Sequence, residues 1–351
     1  MDKPDDMTHQ NKLRVGVIGA GILGARHARV WREMTDVELV AVCDLDAARA
    51  ENIAQQSNAR AFTDYNALFA AAKLDAVSIA TPDHLHRAPV LAALAAGLHV
   101  LQEKPLATNA DDARAIVEAT ATSGKIVMVN FSQRFVTDHL WLHDAIARGE
   151  IGKPRMVLSV KHDNLSVPTE MIRGWAQATS PLYFMSSHDL DLAHWFLKVD
   201  PVRVTAQETR GTLDALGIPV HDGLNALIQF DGDIIANFHA SWIHPNTYPR
   251  VADGFMQIIG DAGALTYNNR TRAAELFNAR GGQKIEFTGV HTADIVDGKI
   301  TGAFVSSLQH FLQCIRETRE PDTSPRRVLP TALAQAAILD ALSSQQPISL
   351  A

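Results

Sequence analysis

Unbroken apolar runs alternate with helix-period stretches through the first third of the chain. LRVGVIGAG, from Leu13, reads as a fully buried strand entering a glycine turn, and ILGARHARVWREM, from Ile22, reads as the helix that follows. VELVAVCD, AVSIAT, HVLQEK and KIVMVN supply four more strands. Between them lie the helical LDAARAENIAQQS, HRAPVLAALAAG and ADDARAIVEATATSG, the last two closed by Gly97 and Gly124. Strands without polar alternation, each followed by a helix, predict a parallel sheet covered on both faces and wound right-handedly.

From about Phe131 the period changes. A helix, TDHLWLHDAIARG, leads through Gly149 and Gly152 to the strand RMVLSVKH, then to a long polar loop containing Pro168, Gly174, Trp175 and Pro181, then to the helical SSHDLDLAHWFLK. PVRVTAQETR, LNALIQF, IIANFHASWI, GFMQIIG, ALTYN and AELFNA alternate with period two between Gly or Asp turns, which predicts a mostly antiparallel sheet. Two helices, over 304–320 and 330–343, finish the chain. The expected fold class is therefore α/β: a doubly wound parallel sheet, then an α+β domain with a mostly antiparallel open sheet. The expected division is a mobile tail over 1–12, a first domain over 13–130 and a second over 131–351, whose last helix packs back on the first.

Composition narrows the function. With 351 residues, 46% hydrophobic and 20% charged, the chain has room for two cored domains. Its 32 scattered basic residues against 39 acidic ones, net charge −7, leave no electrostatic footprint for nucleic acid or an anionic membrane. The expected partner is a small molecule. Cys43 and Cys314 fit free thiols in a reducing compartment. The polar start MDKPDDMTHQNK lacks the pattern of a secretory leader, and no stretch approaches the ~18 apolar residues of a spanning helix, so a cytoplasmic location is expected.

Gly19-Ala20-Gly21-Ile22-Leu23-Gly24 fits G-x-G-x-x-G with a strand before it, a helix after it and an acid, Asp44, twenty residues on. In that setting Gly19 allows the tight turn, Gly21 lets the backbone approach a pyrophosphate, and Gly24 lets the helix pack on its strand. Asp44 would accept from ribose hydroxyls and repel a 2′-phosphate. The expected cofactor is NAD, with NADP left open because Arg49 is near. Glu103-Lys104-Pro105 ends a later strand of the same sheet, where such folds bind ligands, and puts a lysine where a nicotinamide would lie.

These residues, with TPDHLH (Thr81 to His86), the AALAAGLHVLQEKPLA run, GEIGKP (Gly149 to Pro154) and SHDLDLAHW, resemble the Gfo/Idh/MocA oxidoreductase family, which includes glucose-fructose oxidoreductase and inositol dehydrogenases. The resemblance implies a Rossmann first domain and hydride transfer between a nicotinamide and a secondary alcohol of a sugar, polyol or sugar acid. It makes Lys104 the contact to the reacting oxygen, His188 the acid/base, and the Lys104-Pro105 bond cis. Thr81, Pro82 and His86 then belong to a loop along the cofactor. Many polyol-oxidising members carry aspartate four residues before this histidine, where this chain has Phe184.

The chemistry agrees with those roles. Hydride removal from an alcohol carbon requires the hydroxyl proton to leave, so a base and a nearby cation both help. His188, Asp191 and Trp195 share one helix face, which lets Asp191 orient His188 or bind a substrate hydroxyl. The expected cofactor neighbours include Glu103 and Arg134; His162, Asn164, Arg173 and Trp175 offer the donors and aromatic surface that a sugar ring needs. His139 with His143, and His239 with His244, show no third ligand at a recognisable spacing, so no metal is expected. Two other readings stay open: transient use of tightly held NAD in glycoside cleavage or sugar-to-sugar hydride exchange, and a non-catalytic dinucleotide or sugar sensor. The open sheet face predicts a homodimer or homotetramer.

Overall fold

The computed structural model describes residues 12–269, 273–286 and 293–350, so most of the expected tail lies outside the described residues. In the first domain, strands β1 (Leu13–Ile18), β2 (Val37–Cys43), β3 (Arg60–Phe62), β4 (Ala76–Ile79), β5 (His99–Glu103) and β6 (Val127–Asn130) form one parallel sheet in the order β3-β2-β1-β4-β5-β6. Helices α1 (Ile22–Glu33), α2 (Ala47–Ser57), α3 (Tyr65–Ala71), α4 (Arg87–Ala95) and α5 (Ala110–Ser123) connect them. The order reverses between β1 and β4, and that switch places a crevice at the carboxyl ends of β1, β4 and β5.

Strands buried on both faces need apolar side chains throughout, and Val15, Val17, Val77, Ile79, Val100 and Leu101 are all fully buried. Trp31 of α1 is fully buried as well, and its indole N–H reaches Ser78 Oγ at 2.8 Å, which satisfies its one polar atom. The sequence pattern did not show β3 and α3. β3 has three residues at the sheet edge, too few for a period, and α3 is announced only by Asp64, which caps Asn66 N and Ala67 N.

Helix α6 (Thr137–Ala147) leads into the second domain. There β7 (Pro154–Asn164), β8 (Pro201–Thr209), β9 (Gly223–Phe230), β10 (Ile234–His244), β11 (Ala252–Gly260), β12 (Gly263–Asn268), β13 (Ala273–Asn278) and β14 (Gly281–Glu286) build a sheet completed by a late short strand at Ile348–Ser349. Every neighbouring pair runs antiparallel except β7 with β10. β15 (Asp294–Val296) and β16 (Lys299–Thr301) form a separate hairpin, and the late strand is β17. The helices are α7 (Ser187–Leu197), the single turn α8 (Thr212–Ala215), α9 (Ala303–Arg316) and α10 (Pro325–Ser344).

One sheet face is the core. Val157, Ala226, Ile228, Ala236, Phe238 and Ile258 pack against Leu190, Ala193 and Phe196 of α7 and Ala337, Ile338 and Ala341 of α10. The alternate positions Met156, Leu158, Leu227, Ile235, Ile259 and Phe277 stay exposed. Both final helices return to the first domain. Phe304, Leu308, Phe311 and Leu312 of α9 pack with Val15, Val17, Trp31 and Leu39, and Val328 and Ala332 of α10 pack with Ile116 and Val129. The division at 130/131 therefore follows chain order, while the first core is completed from the far end of the chain. Cys43 and Cys314 are buried free thiols.

Candidate active site

Gly19 has φ +90°, and a β-carbon there would lie 2.5 Å from Ala80 O. A β-carbon on Gly24 would lie 1.7 Å from Gly19 O, so the start of α1 touches the turn backbone to backbone. Gly21 differs: no atom lies within 4 Å of a β-carbon built on it. It occupies the N-cap of α1 with no side-chain cap, whereas Asp46, Asp64 and Asn109 cap α2, α3 and α5. The uncapped amides of α1, behind a residue with no side chain, suit a pyrophosphate. Ala20 lines the same groove with Gly21 and Ile22, whereas Leu23 is the third x of the motif and the second residue of α1.

Asp44 closes the other side of this turn. Ala20 N donates to Asp44 Oδ2 at 2.6 Å and Asp46 N to Asp44 Oδ1 at 2.9 Å, so the carboxylate is held at the strand end with its acceptors facing the crevice loop. Ile22 and Leu45 flank it, 62% and 90% exposed, as apolar surface that a bound nucleoside would cover. The donor set fits a dinucleotide.

At the end of β5 the Lys104-Pro105 bond is cis. A buried network holds the segment. Gln102 Nε2 lies 3.0 Å from Pro105 O and 2.7 Å from Leu106 O, and 3.1 Å from His86 Nδ1; His86 Nε2 faces Thr81 O at 3.1 Å. His86 Nδ1 also lies 2.8 Å from Pro105 O, so the ring sits between the carbonyls of Thr81 and Pro105, and its N–H, on either nitrogen, donates to one of them, which ties the loop after β4 to the bend after β5. Burial keeps His86 below the usual imidazole range. Its ring is thus consumed within the protein, a correction to its expected place along the cofactor; Thr81 and Pro82 remain half-buried at the crevice.

Glu103 needs a similar correction. His27 Nε2 lies 2.8 Å from its Oε1 and Asn130 Nδ2 donates to the same oxygen at 2.7 Å, so the carboxylate turns inward to join α1, β5 and β6. Burial opposes its charge, but His27, Lys104 and Asn130 outweigh that and hold its carboxyl below the usual range.

Lys104 reaches across to the second domain. Its Nζ donates to Phe184 O at 2.6 Å and lies 4.9 Å from the centre of the Phe184 ring. Phe184, in turn, meets Trp175 at 6.0 Å and Trp242 at 5.9 Å. The residue that stands in place of the family's frequent aspartate therefore grips the ammonium by carbonyl and ring face, and one of the three N–H donors is taken. Thr179 Oγ1 donates to the buried Asp83 Oδ2 at 2.7 Å, a second clasp between the domains.

His188 sits in the first turn of α7, edge-on to Phe131 at 5.9 Å, with Nδ1 enclosed and without a protein partner. Burial first, then the charges of Lys104 and Lys161, keep it neutral well below the usual imidazole range. Asp191 does not orient it. Both Asp191 oxygens are taken by Arg134, Nε and Nη2 donating at 2.7 Å each, and Arg134 also donates to Asp322 O at 3.2 Å. A bidentate pair of this kind satisfies the carboxylate, so neither Asp191 nor Arg134 offers its charge to a ligand, contrary to expectation.

The other expected substrate residues separate. Asn164 is buried on β7 with Oδ1 unpartnered, Trp175 joins the Phe184 wall, and Arg173 is exposed on the loop. His162 lies on the opposite face of β7 from Lys161 and Asp163, 2.7 Å from His239 Nδ1 and edge-on to His244 at 4.6 Å. Strand alternation puts it there. Sequence reasoning missed Lys161, Asp163 and Asp189. Lys161 Nζ lies 3.4 Å from Asp189 Oδ1; the signal was a strand whose inward positions turn from Val157 and Ser159 to a cation and an acid. Among the described residues no group of three or more His, Cys, Asp or Glu is arranged to hold a metal ion, and no helix is long and apolar enough to cross a membrane.

Two family models fit this architecture: residues 13–131 match the oxidoreductase family, NAD-binding Rossmann fold, and residues 139–266 match the GFO/IDH/MocA C-terminal domain. The chain belongs to the Gfo/Idh/MocA oxidoreductase family. Within it, the inositol 2-dehydrogenase of Acidothermus cellulolyticus is 34% identical over 67% of this chain and 68% of its own. That of Rubrobacter xylanophilus is 35% identical over 58% of each chain, so the match spans little more than half of that relative. A putative myo-inositol dehydrogenase from Sinorhizobium meliloti superposes with a TM-score of 0.79 at 26% identity, covering 97% of this chain and all of that one. The first domain is an NAD-binding Rossmann domain and the second the family's mixed, mostly antiparallel sheet.

Proposed function

We propose that this chain is an NAD-dependent dehydrogenase that oxidises a secondary alcohol of an inositol-like polyol, a sugar or a sugar acid. The observation that carries it is the meeting of Lys104, at the carboxyl end of β5, with the second-domain segment of Phe184 and His188, one wall of the crevice from each domain. Gly19, Gly21 and Gly24 with the α1 amides would hold the pyrophosphate, and Asp44 the ribose hydroxyls, with its charge disfavouring a 2′-phosphate. Bound there, NAD supplies the hydride acceptor. The relatives' names support a cyclic polyol as substrate class.

Lys104 keeps N–H donors for a substrate oxygen and stabilises the charge that grows on it as the hydroxyl proton leaves. His188, neutral, presents an acceptor or donor to a second hydroxyl and keeps a further cation out of the crevice. The exposed apolar sheet face around Leu158, Leu227 and Ile235 supports a homo-oligomer.

The test mixes purified protein with NAD and, one at a time, myo-inositol, scyllo-inositol, glucose and gluconate, following reduced nicotinamide by absorbance. Turnover with at least one is expected, and faster with NAD than with NADP. Measurable NAD binding with no turnover on any member of the panel removes the dehydrogenase reading.

A further inference from the structure

Lys104 is held from both faces of the sheet. Gln102 turns to the side of His86, where its amide fixes Pro105 O and Leu106 O. Glu103 turns the other way, with Leu101 of the same strand, toward the core that α1 and α9 build. There His27 Nε2 of α1 lies 2.8 Å from Glu103 Oε1, and Asn130 of β6, in register with Glu103, donates Nδ2 to the same oxygen at 2.7 Å. A carboxylate only accepts, so a proton of His27 sits on Nε2. All three side chains are buried, and the His27 ring stands edge-on to Phe304 of α9 at 5.1 Å.

Stability alone does not account for this arrangement. The core around it is apolar, built from Val17, Trp31, Leu101, Met128 and Leu308, and an apolar pair of similar volume is often as stable as a buried ion pair or more so. His27 Nδ1 and Asn130 Oδ1 are enclosed without protein partners, which adds a desolvation cost that the pair does not recover. What the pair supplies is a connection. It joins the helix whose N-terminal amides suit the pyrophosphate to the residue next to Lys104. His27 lies six residues beyond Gly21, roughly 9 Å along the helix, and Gly24 packs that helix on the turn, backbone to backbone.

We infer that His27, acting through Glu103, is a positioning residue that sets Lys104 against the bound dinucleotide, so that filling the glycine turn is felt at the lysine. The use that Lys104 makes of its position rests on the dehydrogenase reading. When the turn is filled, α1 settles as a unit, and His27 carries the shift to the end of β5. Gln102 restrains the opposite face there, and Lys104 Nζ reaches Phe184 O at 2.6 Å, so the change arrives at the wall between the two domains. The dinucleotide and alcohol sites then favour one another, because both need the same relation between α1 and β5.

The test compares the full-length wild type with the double variant His27→Leu/Glu103→Gln, which cuts the connection and strands no charge, and with His27→Gln, which returns an N–H donor near the place of Nε2. In the wild type, saturating NAD should slow amide hydrogen exchange over residues 99–107. The double variant should lose that slowing, while its NAD affinity by calorimetry changes by less than about threefold. Its kcat should fall on the order of 100-fold with KM for NAD little changed, as when a reacting group is misplaced by about 1 Å. His27→Gln should recover the slowing and most of kcat.

Should the double variant fail to fold, Glu103→Gln decides, since it keeps the shape and removes the charge: part of the slowing and at least about tenfold in kcat should go, and no change in either overturns the inference. Full slowing in the double variant overturns it, as does a wild type in which NAD leaves residues 99–107 unchanged. Loss of NAD affinity itself in the double variant also overturns it, because the pair would then serve the turn and not the lysine. A wild type inactive on every alcohol overturns the dehydrogenase reading and with it the role of Lys104; wild-type turnover with full slowing in the double variant overturns the role of His27 alone.

Discussion

Arg134 grips both carboxylate oxygens of Asp191 at 2.7 Å while its guanidinium lies 5.5 Å from the centre of the Trp195 ring. The pair joins the turn after β6 to the middle of α7, so it fixes the helix that carries His188. Its role is to set position. Asp191→Ala leaves a guanidinium buried without its partner and should cost about 3–5 kcal/mol in urea unfolding. A variant as stable as the wild type but inactive would return Asp191 to the chemistry.

Gly21 and Gly24 of the turn should respond differently to one methyl group. Gly24→Ala drives a β-carbon onto Gly19 O and should destabilise the protein by about 3 kcal/mol or more, a cost of overpacking against backbone that has no room to move. Gly21→Ala meets nothing in the protein, so unfolding should shift by less than about 1 kcal/mol while NAD affinity, read by calorimetry, drops at least about tenfold. Equal NAD affinity in Gly21→Ala would place the pyrophosphate elsewhere.

Lys104→Met keeps the stem of the side chain and removes the ammonium that holds Phe184 O. Turnover should fall on the order of 1,000-fold, as for loss of one preorganised donor at a developing alkoxide, with NAD affinity changed by less than about threefold. Residual activity within tenfold of the wild type would contradict the placement of the reacting oxygen.

The buried imidazoles give stability a pH dependence whose sign follows from linkage. His86 and His188 are held below the usual range, so the unfolded chain takes up protons near pH 6.5 while the native one does not. Their contribution is present above about 6.5 and lost as pH falls toward their native values, by up to ~1.4 kcal/mol per pH unit for each. Asp163, raised to about 7, works the other way: its ionisation removes stability as pH rises from about 4 to about 7. Asp163→Asn should therefore steepen the loss between pH 6.5 and 5 in urea unfolding, and His188→Asn should flatten it. The same slope in all three proteins would mean these groups titrate normally.

Leu158→Glu puts a charge in the middle of the exposed sheet face, where Leu158 is 40% exposed between Asn237 and Gln257 in register. Light scattering should show the wild type as an oligomer at micromolar concentration and the variant as a smaller species with the same circular dichroism. A wild-type monomer would dismiss the interface.

The first domain was legible because its strands are buried on both faces, and only apolar runs satisfy that environment; Gly19, Gly21, Gly24 and Lys104 then follow from where such strands end. The second half of the site was not. Asp191 and His188 share a helix face, but the partner that claims Asp191 lies fifty-seven residues away, and no spacing reveals a bidentate arginine. His86 and Glu103 carry motif positions, yet their side chains face carbonyls and a histidine brought together only by the fold. Asp163 was hidden by His162 beside it, which looked like the sugar contact but points to the other face of β7.

Helices α9 and α10 complete the first domain's core from the chain's far end, so the polypeptide passes between the two halves more than once. Such stitching makes the angle between the crevice walls a property of packed surfaces instead of a single linker. Residues 1–130 expressed alone would leave Trp31, Leu39 and Val129 without the neighbours that cover them and should aggregate. Anyone grafting this dinucleotide module onto another substrate domain would have to carry the last fifty residues with it.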